Sequence, residues 1–331
     1  MHADDRGVEL PVRFTEPRRE YAALTGGSAV VDLGFRSVVR VTGPDRTSFL
    51  QGMLTCDVAA LAPGQAAHGL LLTIQGRVTA EVRVLALEDA LLLDVDVRAR
   101  AAMLEALEKL LVADDVEFAD PALPLAPIGL EGPGTAALLA ACGGGGLLAD
   151  GHAEIPIGGV TVRAVGASEV RGPGVVLFAP AKGVVAVWDT LVRAGAEACG
   201  MQALEARRVE TGVPRIGVDM DGSTLAIELP VEDLISTTKG CYLGQEVVAR
   251  GTARGQVQRR LLGVHFEGVE PSRGAPLHHG GKEVGRVTSI ARARGEDGFI
   301  GLAFIRREHW APGTALDVGS GRARVAAFPL V

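Results

Sequence analysis

Near residue 258 the hydrophobic rhythm of this 331-residue chain changes, and no other feature limits its fold as much. Before that point, segments with apolar residues at every second position alternate with segments whose apolar residues recur at helical spacing. Val39 and Val41 alternate, Gly43-Pro44-Asp45 turns the chain, and Phe49, Leu50 and Leu54 share one helical face. Gln75-Gly76-Arg77 joins strands over 70–74 and 78–87 as a hairpin would, 90–97 is a third strand, and 98–112 is an amphipathic helix. Further strands are expected over 125–130, 152–165 and 175–178, helices over 133–142, 184–194 and 201–211, and a flexible loop at Gly143–Gly146. After Arg259 the helical rhythm stops. Short strands over 261–266, 283–290, 298–304, 315–318 and 323–328, parted by Gly-rich turns, have the spacing of a small β-barrel. The pattern predicts an α+β fold with a domain over 1–258, built from two subdomains, and a barrel domain over 259–331. Evenly long βαβ repeats are missing, so the sheets of the first domain are expected to be mixed or antiparallel.

Composition narrows the function. Hydrophobic content of 47% and charged content of 22% suit a soluble globular chain, and aromatic content of 4% leaves the core to Ala, Val and Leu. A net charge of −7 argues against coating nucleic acid. Arg250, Arg254, Arg259 and Arg260 form the best basic stripe, and a solvated surface explains it more simply. The four cysteines, Cys56, Cys142, Cys199 and Cys241, are isolated, so neither a zinc site nor a disulfide framework is signalled. No apolar stretch reaches membrane-spanning length, and Asp4, Asp5 and Arg6 stand where a secretory leader would be apolar. A cytoplasmic protein with no membrane partner is expected.

One segment gathers chemically capable groups: Lys239-Gly240-Cys241-Tyr242-Leu243-Gly244-Gln245-Glu246, followed by Val247-Val248-Ala249-Arg250. Gly240 and Gly244 are expected to turn at positive φ or to approach a ligand closely. Gln245–Arg250 reads as helix, which would set its N-terminus and the Lys239 ammonium beside Cys241 and favour the thiolate. The bland alternative is a small cysteine in a turn. Glu246 and Arg250 stand four apart and suit a helix ion pair.

The segment closely resembles the K-G-C-Y-x-G-Q-E signature of the YgfZ folate-binding family, relatives of the glycine cleavage T-protein, an aminomethyltransferase. Other stretches resemble that superfamily in the expected order. They are Val41-Thr42-Gly43-Pro44-Asp45 leading to Phe49-Leu50-Gln51-Gly52 and Thr55-Cys56-Asp57-Val58, then Gly76-Arg77, then Arg208-Val209-Glu210-Thr211-Gly212-Val213-Pro214, and finally Gly285-Arg286-Val287-Thr288-Ser289. The resemblance implies a GcvT/YgfZ-like folate-binding domain with ferredoxin-like elements. It also implies tetrahydrofolate, or a one-carbon derivative, as cofactor. By the same resemblance Glu210 holds the pterin, with a surface ion pair as its bland alternative. A carboxylate can accept two N–H bonds from an aminopyrimidinone. Lys239, Tyr242 and Gln245 are further candidates, and Trp188 and Tyr242 are candidate lids that core packing would explain more simply.

A departure bears on the chemistry. Aminomethyltransferases carry paired aspartates after the second glycine turn, and here Ala80 falls on the essential one, with Glu81 next and expected on the opposite face. Alanine exchanges no proton, so the ordinary glycine-cleavage reaction looks lost. The resemblance implies a role in maintaining iron–sulfur enzymes, and through them in tRNA modification, with assembly factors or client enzymes as partners. Cys241 would then be a reactive thiol, a sulfur acceptor or at most a transient cluster ligand, since a stable cluster normally needs four ligands. A folate-dependent one-carbon transferase with a catalytic thiol, and a scaffold with a vestigial cavity, remain alternatives.

Overall fold

A computed structural model describes residues 2–4, 8–144, 151–254, 257–268, 270–292 and 298–330. The chain divides into two compact units. The first comprises Met1–Leu71, Thr79–Leu204 and Leu234–Leu243, and the second Leu72–Val78, Glu205–Asp233 and Gly244–Val331.

The first unit is built on two sheets. A six-stranded sheet runs in the order His152–Ile157, Val160–Val165, Gly174–Pro180, Leu125–Glu131, Ala29–Asp32 and Glu197–Cys199. Its described pairings are antiparallel except for Glu197–Cys199 against Ala29–Asp32, which is parallel. One face packs Val30, Ile128 and Leu177 against Leu138 and Leu139 of the Thr135–Ala141 helix and Val187 and Leu191 of the Val184–Arg193 helix. Val31, Val176 and Phe178, on the opposite face, enter a second core with Leu24, Phe35 and Leu204. Because both faces are covered, its strands read as nearly continuous apolar runs. A five-stranded sheet takes Ala66–Leu72, Val78–Ala86, Leu91–Asp96, Arg36–Thr42 and Glu117–Ala119 in order. The Val97–Leu110 helix follows, with the Asp96 carboxylate accepting from the Arg98 N–H at 2.9 Å as its N-cap.

The second unit contains a closed barrel, Arg259–Glu267, Phe299–Arg306, Lys282–Arg292, Pro276–His279, Ala315–Val318 and Gly321–Ala326, around Val264, Leu277, Val287, Ile305 and Val325. Closure leaves no free sheet edge. The α+β class and the terminal barrel are therefore as the apolar rhythm predicts.

Some elements differ from expectation. The 152–165 run splits at Gly158-Gly159, both at positive φ. The Pro17–Gly26 helix buries only Glu20 and Leu24, too narrow an apolar stripe to announce itself. Strands Ala29–Asp32, Glu197–Cys199 and Pro276–His279 are too short for a period-2 signal. Of the predicted Gly143–Gly146 loop, Gly145 and Gly146 lie outside the described residues.

Candidate functional site

The signature loop is held by the first motif. The Lys239 ammonium donates to the carbonyls of Gln51 at 2.6 Å, Leu54 at 2.7 Å and Cys56 at 2.8 Å. Gln51 lies in the last turn of the Arg46–Met53 helix, Leu54 caps it, and a cation there meets both unpaired carbonyls and the negative end of the helix dipole. The same stretch adds Thr55 Oγ1 to the Leu234 carbonyl at 2.6 Å, Ser236 N–H to the Thr55 carbonyl at 3.0 Å and Leu243 N–H to the Gly52 carbonyl at 2.9 Å. The Lys239 ammonium also stands 5.4 Å from the centre of the Tyr242 ring. Burial lowers its pKa, and the neighbouring Cys56 and Asp57 only partly offset this. Lys239 is thus a backbone staple, a role its place beside a cysteine did not suggest.

Within this loop Cys241 is exposed and Tyr242 is buried. Burial raises the Tyr242 pKa, and its hydroxyl has no hydrogen-bond partner among the described residues. Gly240 does not turn at positive φ, and a Cβ there would meet nothing within 4 Å. Gly244 does sit at φ +82°, directly before the Gln245–Arg254 helix, and a Cβ on it would lie 2.6 Å from the Thr73 carbonyl. Gly76 of the hairpin, at φ +73°, would in turn put a Cβ 2.9 Å from Val247. The two glycines let the hairpin tip and the helix start approach backbone to backbone. The other cysteines differ in kind. Cys56 and Cys199 are buried, Cys142 is half-buried, and desolvation raises the thiol pKa of all three, that of Cys56 to about 11.

Ala80 is wholly buried, and Glu81 lies on the other face of its strand. Its Oε1 is 2.7 Å from His68 Nε2, the two side chains being 18% and 33% exposed. Burial pulls the Glu81 pKa upward, but His68 first, then Arg36 and Arg83, outweigh it and lower the value. Sequence reasoning missed His68. Hairpin register would not have found it: counting outward from the bond of Thr73 N–H to the Arg77 carbonyl sets residue 69, not 68, opposite 81.

In the second unit, Arg208-Val209-Glu210-Thr211-Gly212-Val213-Pro214 closes the Met201–Thr211 helix. Gly212 N–H bonds to the Val209 carbonyl and Val213 N–H to the Arg208 carbonyl, with Gly212 at φ +76°, a Schellman ending that Pro214 keeps from continuing. Arg208 is fully buried; its guanidinium reaches Asp219 Oδ2 and Ser289 Oγ, each at 2.8 Å, and Glu205. The Glu210 carboxylate is buried and paired with Arg207. Gln245 is the first residue of its helix and is half-buried. The basic stripe is neutralised one by one: Arg250 pairs with Glu246, Arg259 with Glu228 at 2.9 Å and Arg260 with Glu232 at 3.0 Å. The Arg254 side chain lies outside the described residues.

Trp188 is not brought to the signature loop. It lines a cavity of about 480 Å³ with Phe14, Asp32, Arg36, Pro127 and Val185, to which Lys239, Cys241 and Tyr242 contribute nothing. Among the described residues, no helix is long and apolar enough to cross a membrane.

Residues 2–239 match the GCVT N-terminal domain, and residues 259–330 match the glycine cleavage T-protein C-terminal barrel domain. At1g60990, a chloroplastic protein of Arabidopsis thaliana provisionally named a transferase, is 28% identical over 302 residues, covering 90% of this chain and 69% of the relative. The aminomethyltransferase of Geobacillus kaustophilus is 28% identical over 330 residues, covering 94% and 88% of the two chains. The crystal structure of the glycine cleavage system aminomethyltransferase T from Bartonella henselae superposes with a TM-score of 0.89 over 100% of this chain and 94% of that one. At 21% identity it establishes the fold.

Proposed function

Because the chain belongs to the glycine cleavage T-protein family, through its GCVT N-terminal domain and its C-terminal barrel, we propose that it is a tetrahydrofolate-binding protein of the YgfZ type. In this reading it serves iron–sulfur enzymes in their assembly or repair, and through them tRNA modification. One observation carries the reading: of the four cysteines only Cys241 is exposed, on a loop fixed by Lys239, while the position of the transferase aspartate is a buried alanine. The residues present suit folate in kind. Glu210 supplies a buried carboxylate for the pterin N–H groups, and Tyr242 offers a hydroxyl without a hydrogen-bond partner among the described residues. The Gln245 amide is a further contact, and Gly240 leaves open space where a side chain would otherwise stand. Lys239 acts by holding the loop. Bound tetrahydrofolate would supply a one-carbon acceptor at its N5.

Calorimetric titration of tetrahydrofolate tests the pocket. Wild type is expected to bind, and Glu210→Ala to weaken binding at least tenfold, about 1.4 kcal/mol. Cys241→Ala should bind folate normally yet fail to restore iron–sulfur enzyme activity in cells lacking the gene. No folate binding, together with full rescue by Cys241→Ala, would sink the reading.

The His68–Glu81 pair favours a second reading, a folate-dependent one-carbon transferase. An imidazole oriented by a carboxylate can exchange the proton that Ala80 cannot. Purified protein would then turn over a methylamine or formaldehyde donor with tetrahydrofolate, and His68→Ala would abolish turnover without abolishing binding. Folate binding without turnover by the wild type removes this alternative.

A further inference from the structure

The cavity beside Trp188 belongs wholly to the first unit and has no part in the reading above. At about 480 Å³ it lies within the usual range for small-ligand pockets, roughly 300–1,000 Å³. Two aromatic rings wall it, Phe14 and Trp188, with centroids 5.5 Å apart and planes inclined by 35°. Phe14 is 45% exposed and Val185, one turn before Trp188, 68% exposed, an unusual display of apolar surface in a chain so poor in aromatics. No cation among the described residues stands over either ring, although Tyr242, Phe304, Trp310 and Phe299 each have one.

One carboxylate completes the lining. Asp32 Oδ1 accepts the Gly34 N–H at 2.9 Å, and its Oδ2 has no partner among the described residues. Burial raises the Asp32 pKa, only partly countered by the Gly34 bond, as for an anion awaiting a counter-ion. Arg36 also lines the cavity but is already matched, with Nε 2.8 Å from Asp94 Oδ1 and Nη2 3.2 Å from the Asp94 carbonyl. It neither frees Asp32 of its need for a cation nor offers an anion site of its own.

The geometry points to a binding site for a small organic ammonium ion bearing methyl groups. The methyls would lie against Phe14, Trp188 and Pro127, and the charge would be shared between the ring faces and Asp32. Aromatic faces attract such cations by about 0.5–2 kcal/mol, more as water is excluded, and the methyl groups add apolar burial that a bare ammonium lacks. A carboxylate beside the rings then selects the cation over a neutral molecule of the same shape.

Choline is the probe, titrated by calorimetry into the full chain, with 3,3-dimethylbutan-1-ol as its uncharged counterpart of matching shape. Saturable choline binding is expected, with the alcohol roughly tenfold weaker or more, a difference of about 1.4 kcal/mol. Asp32→Asn and Trp188→Ala should each weaken choline comparably. Absence of saturable choline binding, equal binding of the alcohol, or indifference to both substitutions would overturn the site. The ligand comparison uses the unaltered protein, so it stands even if a variant misfolds. Choline binding is read without folate, and so succeeds or fails independently of the pterin pocket.

Discussion

Lys239 shows how far a residue's neighbours in sequence can mislead about its task. Beside a thiol, a lysine suggests electrostatic activation. In the fold its ammonium is spent on three backbone carbonyls, at 2.6, 2.7 and 2.8 Å. Those acceptors lie 183 to 188 positions away, beyond any local reading. Hydrogen bonds from a charged donor contribute about 1.5–3 kcal/mol, and part of that offsets the cost of desolvating the ammonium. Lys239→Met, which keeps the stem, is therefore expected to lower unfolding stability by about 2 kcal/mol in denaturant titration. The same change should speed alkylation of Cys241, because the loop that carries the thiol loses its anchor. An unchanged midpoint and an unchanged alkylation rate would show the staple to be dispensable. Gly240 and Gly244 make the same point. Both read as turn glycines, but only Gly244 takes the left-handed conformation.

At the level of elements, two stretches that look unrelated in the sequence prove to be one device. The barrel strand Lys282–Arg292 shifts register between Val287 and Ser289, leaving Thr288 as the extra residue. A bulge re-aims side chains. Here consecutive hydroxyls, Thr288 Oγ1 at 2.5 Å and Ser289 Oγ at 2.6 Å, both reach Asp219 Oδ1, whose other oxygen meets buried Arg208. Without Asp219, Arg208 keeps Glu205 but loses its most buried anion. Asp219→Asn is expected to cost about 3 kcal/mol, the low end for breaking a buried pair, and Ser289→Ala about 1 kcal/mol, both read by chemical denaturation. Equal, negligible losses would contradict the network. Elements with strong periodicity, such as Val97–Leu110 and the barrel strands, were legible in the sequence because their apolar faces are broad. The Asp219 contact was not, since nothing in the spacing of an acid and an arginine distinguishes a buried pair from a solvated one. His68 was not legible either, because simple counting from the hairpin turn sets residue 82 opposite it, whereas the fold brings it to Glu81.

For the whole molecule, the clearest signature is in its response to pH. Glu131 is completely buried, and its carboxyl is pushed up to about 8 from the ordinary 4.5, chiefly by desolvation. The Glu169 N–H at 2.7 Å and the Ser168 hydroxyl at 2.7 Å pull the other way, as does Arg83, while the Glu169 charge raises it further. The folded state therefore holds a proton that the unfolded chain releases above about 4.5. Its contribution is full below that point, declines as pH rises towards 8, and is gone above it. One such group adds a slope of at most about 1.4 kcal/mol per pH unit. Glu131→Gln should flatten the stability profile across this window relative to wild type, and a parallel profile for the two proteins would show that Glu131 ionises normally.

The Lys239 staple also has a consequence in time. The Arg46–Met53 helix is synthesised long before its lysine, and at roughly 5–20 residues per second about ten to forty seconds separate the two on the ribosome. Until then the helix end has no cation and the signature loop does not exist. Presentation of the thiol thus waits for Leu234–Leu243, the last segment of the first unit to be made.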